Sequence, residues 1–384
     1  METVAEAVKT ENIGRGSRKK IRFFDYGLLF IIIFLVAFGM VMLYSVSYYN
    51  ASISFDDPAY YVKKQLIAAC LGMTALLVIS RLDYHIFYVF APAIYVFALI
   101  LNVLVQTGLG SNYSGSQRWI SVGGISIQPS ELAKIGVILF VAYIVSRAPK
   151  KMADFKAVIT VFVINLPIIG AVAMANLSTA IIIAGIEFVM VFVASPKYKY
   201  FVGIILALVS FMAVFLIVAP YRVERIKIWL NPEDYDKGYQ TLQGLYAIGS
   251  GGFFGKGLGE SLQKFGSVPE PENDMIFSII CEELGIVGAV AVILLFLMLI
   301  WRLMVIANNT YDLFGSMVVV GIMTHIALQV ILNIAVVTNT IPNTGITLPF
   351  ISYGGTSLSV LLAEMGIALS ISRGIRFENL GEVE

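Results

Sequence analysis

A chain of 384 residues that is 58% hydrophobic and only 13% charged falls outside the range of soluble domains, in which about a quarter of residues are charged. Its formal net charge of +1 supplies no basic footprint, and no nucleic-acid partner is expected. The two cysteines, Cys70 and Cys281, and the two histidines, His85 and His325, are too few and too far apart for a disulfide framework, a His-rich metal site or a Ser-His-Asp triad.

The first 24 residues are polar and basic, with Arg15, Arg18, Lys19, Lys20 and Arg22. No small-residue cleavage site ends the apolar run that follows, so the first run reads as a retained span and not a signal peptide. A bilayer crossing takes roughly 17–25 apolar residues. Such runs occur at 25–48, 62–81, 84–106, 129–147, 157–175, 177–194, 199–220, 274–306, 313–338 and 354–373. They are too long and too uniformly apolar for barrel strands, so the expected fold is an all-α polytopic membrane protein of about ten transmembrane helices. The run at 274–306 is overlong, and it is expected to tilt or to start outside the hydrocarbon.

Lys and Arg placement sets the orientation. With the N-terminus inside, most of the 26 basic residues fall on the cytoplasmic side. The short outside loops then hold only Lys63, Lys64 and Arg118. An even number of spans puts both termini inside. The domain expectation is a basic tail at 1–24, one transmembrane domain at 25–373 with a large extracytoplasmic loop at 221–273, and a short tail at 374–384.

Two further Gly-, Ser- and Pro-rich stretches, 107–128 and 339–357, share the outer face with that loop. Irregular backbone is excluded from lipid, so such stretches lie on the membrane surface or dip into a protein cavity. Three of them on one face suggest a roofed cavity that opens outward. Residues 249–261, GSGGFFGKGLGES, invite a phosphate-loop reading. The spacing fails, because Ser250 stands where the first Gly is required and Gly257 follows Lys256 where Ser or Thr is needed. The stretch reads instead as flexible backbone packed over the cavity mouth.

Each charge within an apolar run needs a reason, since insertion costs roughly 2.5–3.5 kcal/mol at the bilayer centre. Glu131 and Lys134 are three residues apart and share a helix face. They form either a structural ion pair or a polar wall of the cavity. Glu282 and Glu283 point differently from a regular helix, one toward the cavity and one toward neighbouring helices. Glu187 and Glu364 are lone acids expected to face the bundle interior. Asp274 differs, because it stands where the long outer loop meets the next apolar run. Asn273 is the expected N-cap there, with Asp274 in the first turn. Apolar surroundings raise a carboxylate's pKa and a helix N-terminus lowers it, so the net sign is open.

The run GYQTLQGLYAIGSGGFFGKGLGESLQKFGSVPEPENDMIFSIICEELG, with RWI, QPSELAK and PNTGITLPFISYGGTSL, closely resembles the SEDS proteins (shape, elongation, division and sporulation). These are the peptidoglycan glycosyltransferases of the FtsW/RodA/SpoVE type. The resemblance covers nearly all of residues 25–373. It implies polymerisation of lipid II, an undecaprenyl-pyrophosphate-linked disaccharide-peptide, into glycan strands at the outer face of the bacterial cytoplasmic membrane. The family's proposed catalytic acid falls on Asp274, its fourth-span Glu and Lys on Glu131 and Lys134, and its Arg-Trp arginine on Arg118. Arg118, Lys256, Lys264 and Arg222 are then the cations for the leaving pyrophosphate, and Ser352 is a further substrate-binding candidate. A divalent cation on Asp274 with Glu270 or Glu272 is another way to meet that charge. The implied partner is a class B penicillin-binding transpeptidase, with other division or elongation membrane proteins beside it.

Two positions depart from the family pattern. Where many members read QPDLGT this chain reads MANLST, so Asn176 replaces an Asp, and Cys281 replaces a Gly before EELG. The N-terminal tail and the TGITLPF wording resemble the division or sporulation branch more than the elongation one. A lipid II flippase that uses Glu187, Glu282, Glu283 and Glu364 as a relay, and a scaffold that only recruits the transpeptidase, are the competing readings.

Overall fold

The computed structural model describes residues 24–107, 111–113, 116–122, 125–206 and 226–375. Nine helices among them are long and apolar enough to cross a membrane. They are α1 (Tyr26–Phe55), α2 (Tyr60–Ile79), α3 (His85–Leu104), α4 (Pro129–Arg147), α5 (Phe155–Ala175), α6 (Leu177–Ala194), α8 (Ile276–Asn309), α9 (Leu313–Val337) and α10 (Gly355–Ser372). A shorter helix, α7 (Tyr239–Ser250), precedes α8. The apolar run at 199–220 is helical from 199 to 206, and the rest of it lies outside the described residues. The chain is thus a multi-pass helical membrane protein.

Local chemistry sets the helix starts. Asp25 caps α1 by accepting from the Leu28 N–H at 2.7 Å, and Asp312 caps α9 from the Gly315 N–H at 2.8 Å. Asn176 caps α6 through the Thr179 N–H at 3.2 Å. The residue that departs from the family pattern is therefore a helix cap here. Pro129 opens α4, where its missing N–H costs nothing.

Packing sorts the helices. α4, α9 and α10 bury most of their surface, whereas α2, α3 and α5 leave large apolar side chains such as Phe90, Phe97 and Leu166 exposed. In lipid those side chains meet acyl tails of equal polarity, so close packing gathers the small residues inside. Gly321 of α9, for example, leaves room for Ile138 of α4 only because it lacks a Cβ.

One end of the bundle carries the polar loops. Residues 107–128 contain a three-stranded antiparallel meander, β1 (Ser111–Tyr113), β2 (Ser116–Val122) and β3 (Ile125–Ile127). The strap between α9 and α10 leads into the first turn of α10, which is tied to this meander by the Thr356 hydroxyl, donating to the Ser126 carbonyl at 2.7 Å. The strap also dips deep into the bundle. A Cβ on Gly39, in the middle of α1, would sit 2.6 Å from the Phe350 carbonyl oxygen. Gln329 and Asn333 of α9, one turn apart, donate to the strap carbonyls of Thr347 at 3.1 Å and Ile346 at 2.7 Å. Irregular backbone at membrane depth is here buried in protein and its carbonyls are satisfied. At the opposite end, Arg302 pairs with Asp25 at 2.5 Å, and Arg373 donates to the Ser80 carbonyl at 3.0 Å.

The overlong helix α8 is two pieces. Gly285 has φ 66° and ψ −164°, a conformation that favours glycine. The kink releases backbone groups, and the loop after α7 takes them. Lys256 and Gly257 N–H groups donate to the Glu282 and Glu283 carbonyls at 2.9 and 3.0 Å. In return, Ile286 and Val287 N–H groups donate to the Gly252 and Phe253 carbonyls at 3.1 and 3.2 Å. A Cβ on Gly285 would lie 2.3 Å from the Gly255 nitrogen. Gly285→Ala therefore combines a positive φ with a backbone clash and is expected to cost more than about 1 kcal/mol. A lowered melting temperature of the detergent-solubilised protein, with faster proteolysis in 250–264, is the expected result.

Candidate functional site

The site is built around the turn at 271–275, just ahead of α8. α8 starts at Ile276 with Met275 as its cap residue. The expected Asn273 cap is therefore not formed. Asn273 instead donates to the Glu270 carboxylate at 2.8 Å, which keeps the preceding turn closed. Asp274 lies two residues outside the helix, so the helix N-terminus does not dominate its electrostatics.

Asp274 is buried at 8% exposure. Its backbone carbonyl accepts from the Asn333 amide at 2.8 Å, which hangs the turn on α9. Its Oδ1 accepts from Gln240 Nε2 of α7 at 3.4 Å. On the other side, a Cβ on Gly345 of the strap would lie 3.9 Å from Oδ2. Burial pushes the Asp274 carboxyl up to about 6. Its own backbone N–H and the Gln240 amide pull the other way, and Glu270 and Glu272 add repulsion. The sign left open by the sequence is thus upward, because desolvation outweighs the donors.

The neighbouring acids diverge. Glu272 is buried and accepts from Asn50 of α1 at 3.3 Å, while its backbone carbonyl accepts from the Tyr353 N–H at 2.9 Å. Burial raises its carboxyl above the ordinary range. Glu270 is exposed. Among the described residues no three His, Cys, Asp or Glu side chains are grouped to hold a metal ion. Asp274, Glu270 and Glu272 therefore do not form such a group of three.

The candidate cations are mostly held by carboxylates. Lys134 is fully buried, 2.9 Å from Glu131 at the start of α4. Lys256 lies 2.6 Å from Glu282, which also accepts from the hydroxyls of Ser250 at 3.2 Å and Ser261 at 2.5 Å. Lys264 is buried and lies 2.9 Å from Glu283, 3.2 Å from the Ser45 hydroxyl and 2.7 Å from the Gly259 carbonyl. The kink at Gly285 and the loop folded over it bring a lysine to each acid, and Glu283 also accepts from the Ser45 hydroxyl of the neighbouring helix α1 at 2.7 Å, a helix contact of the kind expected for one of the two. Arg118 is exposed on β2 and donates from Nε to the Ala175 carbonyl at 3.0 Å. Arg222 lies outside the described residues. Ser352 is buried in the strap, where its hydroxyl accepts from the Leu348 N–H at 2.8 Å and locks the turn.

The remaining intramembrane acids are also paired. Glu187 accepts from Asn165 at 2.8 Å, and Glu364 faces His325 Nδ1 at 2.9 Å. Sequence reading passed over Gln240, Asn333, Asn343 and Gln329 and gave no buried contact to His325. The last two share a face of α9 with Asn333 at a spacing of four. That polar stripe in an apolar helix was a usable signal for a buried contact.

A family model described as cell cycle protein, for FtsW, RodA and SpoVE, matches residues 26–376. Stage V sporulation protein E of Bacillus subtilis (strain 168) is 41% identical over 358 residues, covering 92% of this chain and 98% of its own length. A probable peptidoglycan glycosyltransferase FtsW of Trichlorobacter lovleyi is 36% identical over 370 residues, covering 94% of this chain and 97% of its own. Among solved structures, a chain described under "Structural coordination of polymerization and crosslinking by a peptidoglycan synthase complex" is similar with a TM-score of 0.77. It is 30% identical and covers 91% of this chain and 98% of its own. The rod shape determining protein RodA of Thermus thermophilus is similar with a TM-score of 0.65 at 26% identity. It covers 93% of this chain and 98% of its own.

The Lys264–Glu283 pair generates a stability test. Removing one partner strands a buried charge, which costs about 3–5 kcal/mol. Lys264→Met should therefore lower the melting temperature sharply. Adding Glu283→Gln to it should recover most of the loss. A single variant that melts like the wild type would show that the pair holds nothing in place.

Proposed function

The chain belongs to the FtsW/RodA/SpoVE family, and on that footing we propose that it is a peptidoglycan glycosyltransferase that polymerises lipid II with Asp274 as general base. One observation carries this reading. Asp274 is buried at the loop-bearing end of a membrane bundle, with neutral amides on its carboxylate (Gln240) and its carbonyl (Asn333), and its carboxyl is raised to about 6. A base of that strength is mostly ionised at neutral pH and still takes a proton readily, which is what proton transfer at the operating pH requires.

In the reaction, the acceptor's sugar hydroxyl attacks the anomeric carbon of the donor. The hydroxyl proton passes to Asp274 as the new C–O bond forms. The anomeric C–O bond to the pyrophosphate breaks, and undecaprenyl pyrophosphate leaves with the electron pair. Negative charge gathers on that leaving group and needs preorganised cations. Arg118 at the exposed β2 strand, the partly exposed Lys256 and Arg222 are the proposed partners. Lys134 and Lys264 act through the ion pairs that shape the site floor and the loop. Charge placement puts the loop-bearing end outside the cytoplasmic membrane and both termini inside. Lipid tails lie against the exposed apolar helix faces. A class B penicillin-binding transpeptidase is the proposed partner, in line with the synthase complex that gave the similar solved chain.

A flippase relay would pass protons along the intramembrane acids. Glu187, Glu282, Glu283 and Glu364 each carry a fixed hydrogen-bonding or ionic partner, which favours the enzyme.

The test is polymerisation of labelled lipid II by purified protein with its transpeptidase. Asp274→Asn should abolish glycan strand formation while leaving the melting temperature close to that of the wild type. Wild-type turnover should fall as pH drops through about 6, because protonation removes the base. A wild-type rate in Asp274→Asn, or a rate that rises as pH falls through that range, would overturn the assignment.

A further inference from the structure

We propose that a three-step amide relay, from the Gly345 backbone through Asn343 and Gln240 to Asp274, fixes which carboxylate oxygen takes the substrate's proton. The inference rests on the reading of Asp274 as base.

The relay starts from a group that has one sense only. The Gly345 N–H is a donor and donates to Asn343 Oδ1 at 3.0 Å. That contact fixes the Asn343 amide, whose Nδ2 then faces α7 and donates to Gln240 Oε1 at 3.0 Å. With its oxygen engaged, Gln240 has only its amide nitrogen left to turn toward the site. It donates to Asp274 Oδ1 at 3.4 Å and to the Pro269 carbonyl at 3.3 Å. An isolated side-chain amide can donate to an ionised carboxylate or, turned over, accept from a protonated carboxyl, because its oxygen and nitrogen are close in size. Here two residues of the strap, Gly345 through its backbone N–H and Asn343, and one of the loop helix decide the matter.

The consequence falls on Asp274. A donor held at Oδ1 satisfies that oxygen as an acceptor and makes it the poorer place for a proton. Oδ2 lies on the side of Gly345, which offers no side chain to crowd it. We infer that Oδ2 is the basic oxygen and that Gln240 and Asn343 are positioning residues. The relay also joins α7 to the strap, so the base acquires its orientation only when both outer segments are docked. The charged groups acting on Asp274 are Glu270 and Glu272 of its own segment. The groups that the relay and the α9 contact bring to it, Gln240 and Asn333, are neutral.

The test is the pH dependence of kcat for lipid II polymerisation, measured on the full-length protein with its transpeptidase. The variants are Gln240→Met and Asn343→Leu, which keep size and add no charge. Losing the donor to Oδ1 should move the acidic limb of the Gln240→Met profile upward by about half to one pH unit. Asn343→Leu should move it in the same direction by less, because Gln240 is then free to turn. The double variant should match Gln240→Met alone, since both changes cut one chain. Limbs that coincide with the wild type in both single variants, or shifts that add in the double, would overturn the relay. If Asn343→Leu melts early, the Gln240→Met limb decides alone, and an unmoved limb overturns the proposal. Asp274→Asn is run beside them. Turnover in that variant defeats the base reading itself. A dead Asp274→Asn with unmoved limbs in the others defeats only the relay.

Discussion

The site depends on how the Gly-rich loop is fastened to the kink in α8. At Gly285 the helix gives up two of its own backbone bonds, and the loop at 252–257 satisfies the two carbonyls and two N–H groups so freed. Backbone meets backbone there, which is possible only because Gly251, Gly255 and Gly285 have no Cβ. Two ion pairs then fasten the same contact through side chains, Lys256 to Glu282 and Lys264 to Glu283. A buried pair of this kind adds little net stability against an apolar substitute, but breaking either half strands a charge. Its effect is to specify one docked arrangement of the loop.

With the loop docked, the rest of the site follows. α7 and the 271–275 turn flank the loop in one chain segment, and both are held against the strap and α9. Asn333 holds the turn by its backbone, Tyr353 holds Glu272, and Gln240 meets Asn343. Each tether is a neutral hydrogen bond, so Asp274 is confined without being neutralised. That combination lets desolvation raise its pKa. A lysine at the distance that Glu282 and Glu283 enjoy would have pulled it down. The division of labour is therefore spatial. Cations are tied to acids under the loop and at the start of α4, and the base stands apart among amides.

Much of the fold was legible in the sequence because bilayer crossing is a local property. Nine of the ten apolar runs became helices within a few residues of their expected limits, apart from a longer α1 and an α8 carried on to Asn309, and the tenth is only partly described. The pairing of Glu131 with Lys134 was also local, since three residues along a helix fixes a shared face. Asp274 stood out by its position at a loop–helix boundary. The misses are long-range or depend on backbone breaks. A contact of one of Glu282 and Glu283 with a neighbouring helix was expected and Glu283 makes it with Ser45, but the lysine partners, 19 to 26 residues earlier in the chain, depend on a kink with a loop folded onto it. The strands in 111–127 and the helix α7 sit in stretches whose Gly and Ser content masks their pattern. Gln240 and Asn343 are 103 residues apart, and nothing in either neighbourhood announces that they meet.

The most direct measurement is amide hydrogen exchange of the solubilised full-length protein, read at Lys256, Gly257, Ile286 and Val287. Those four N–H groups are the ladder between loop and kink, and their exchange requires the loop to leave α8. Protection close to that of the neighbouring helical amides of α8 is the predicted result. Exchange as fast as that of the exposed residues 258–260 would contradict the account, because the loop would then have no fixed seat from which to position Asp274.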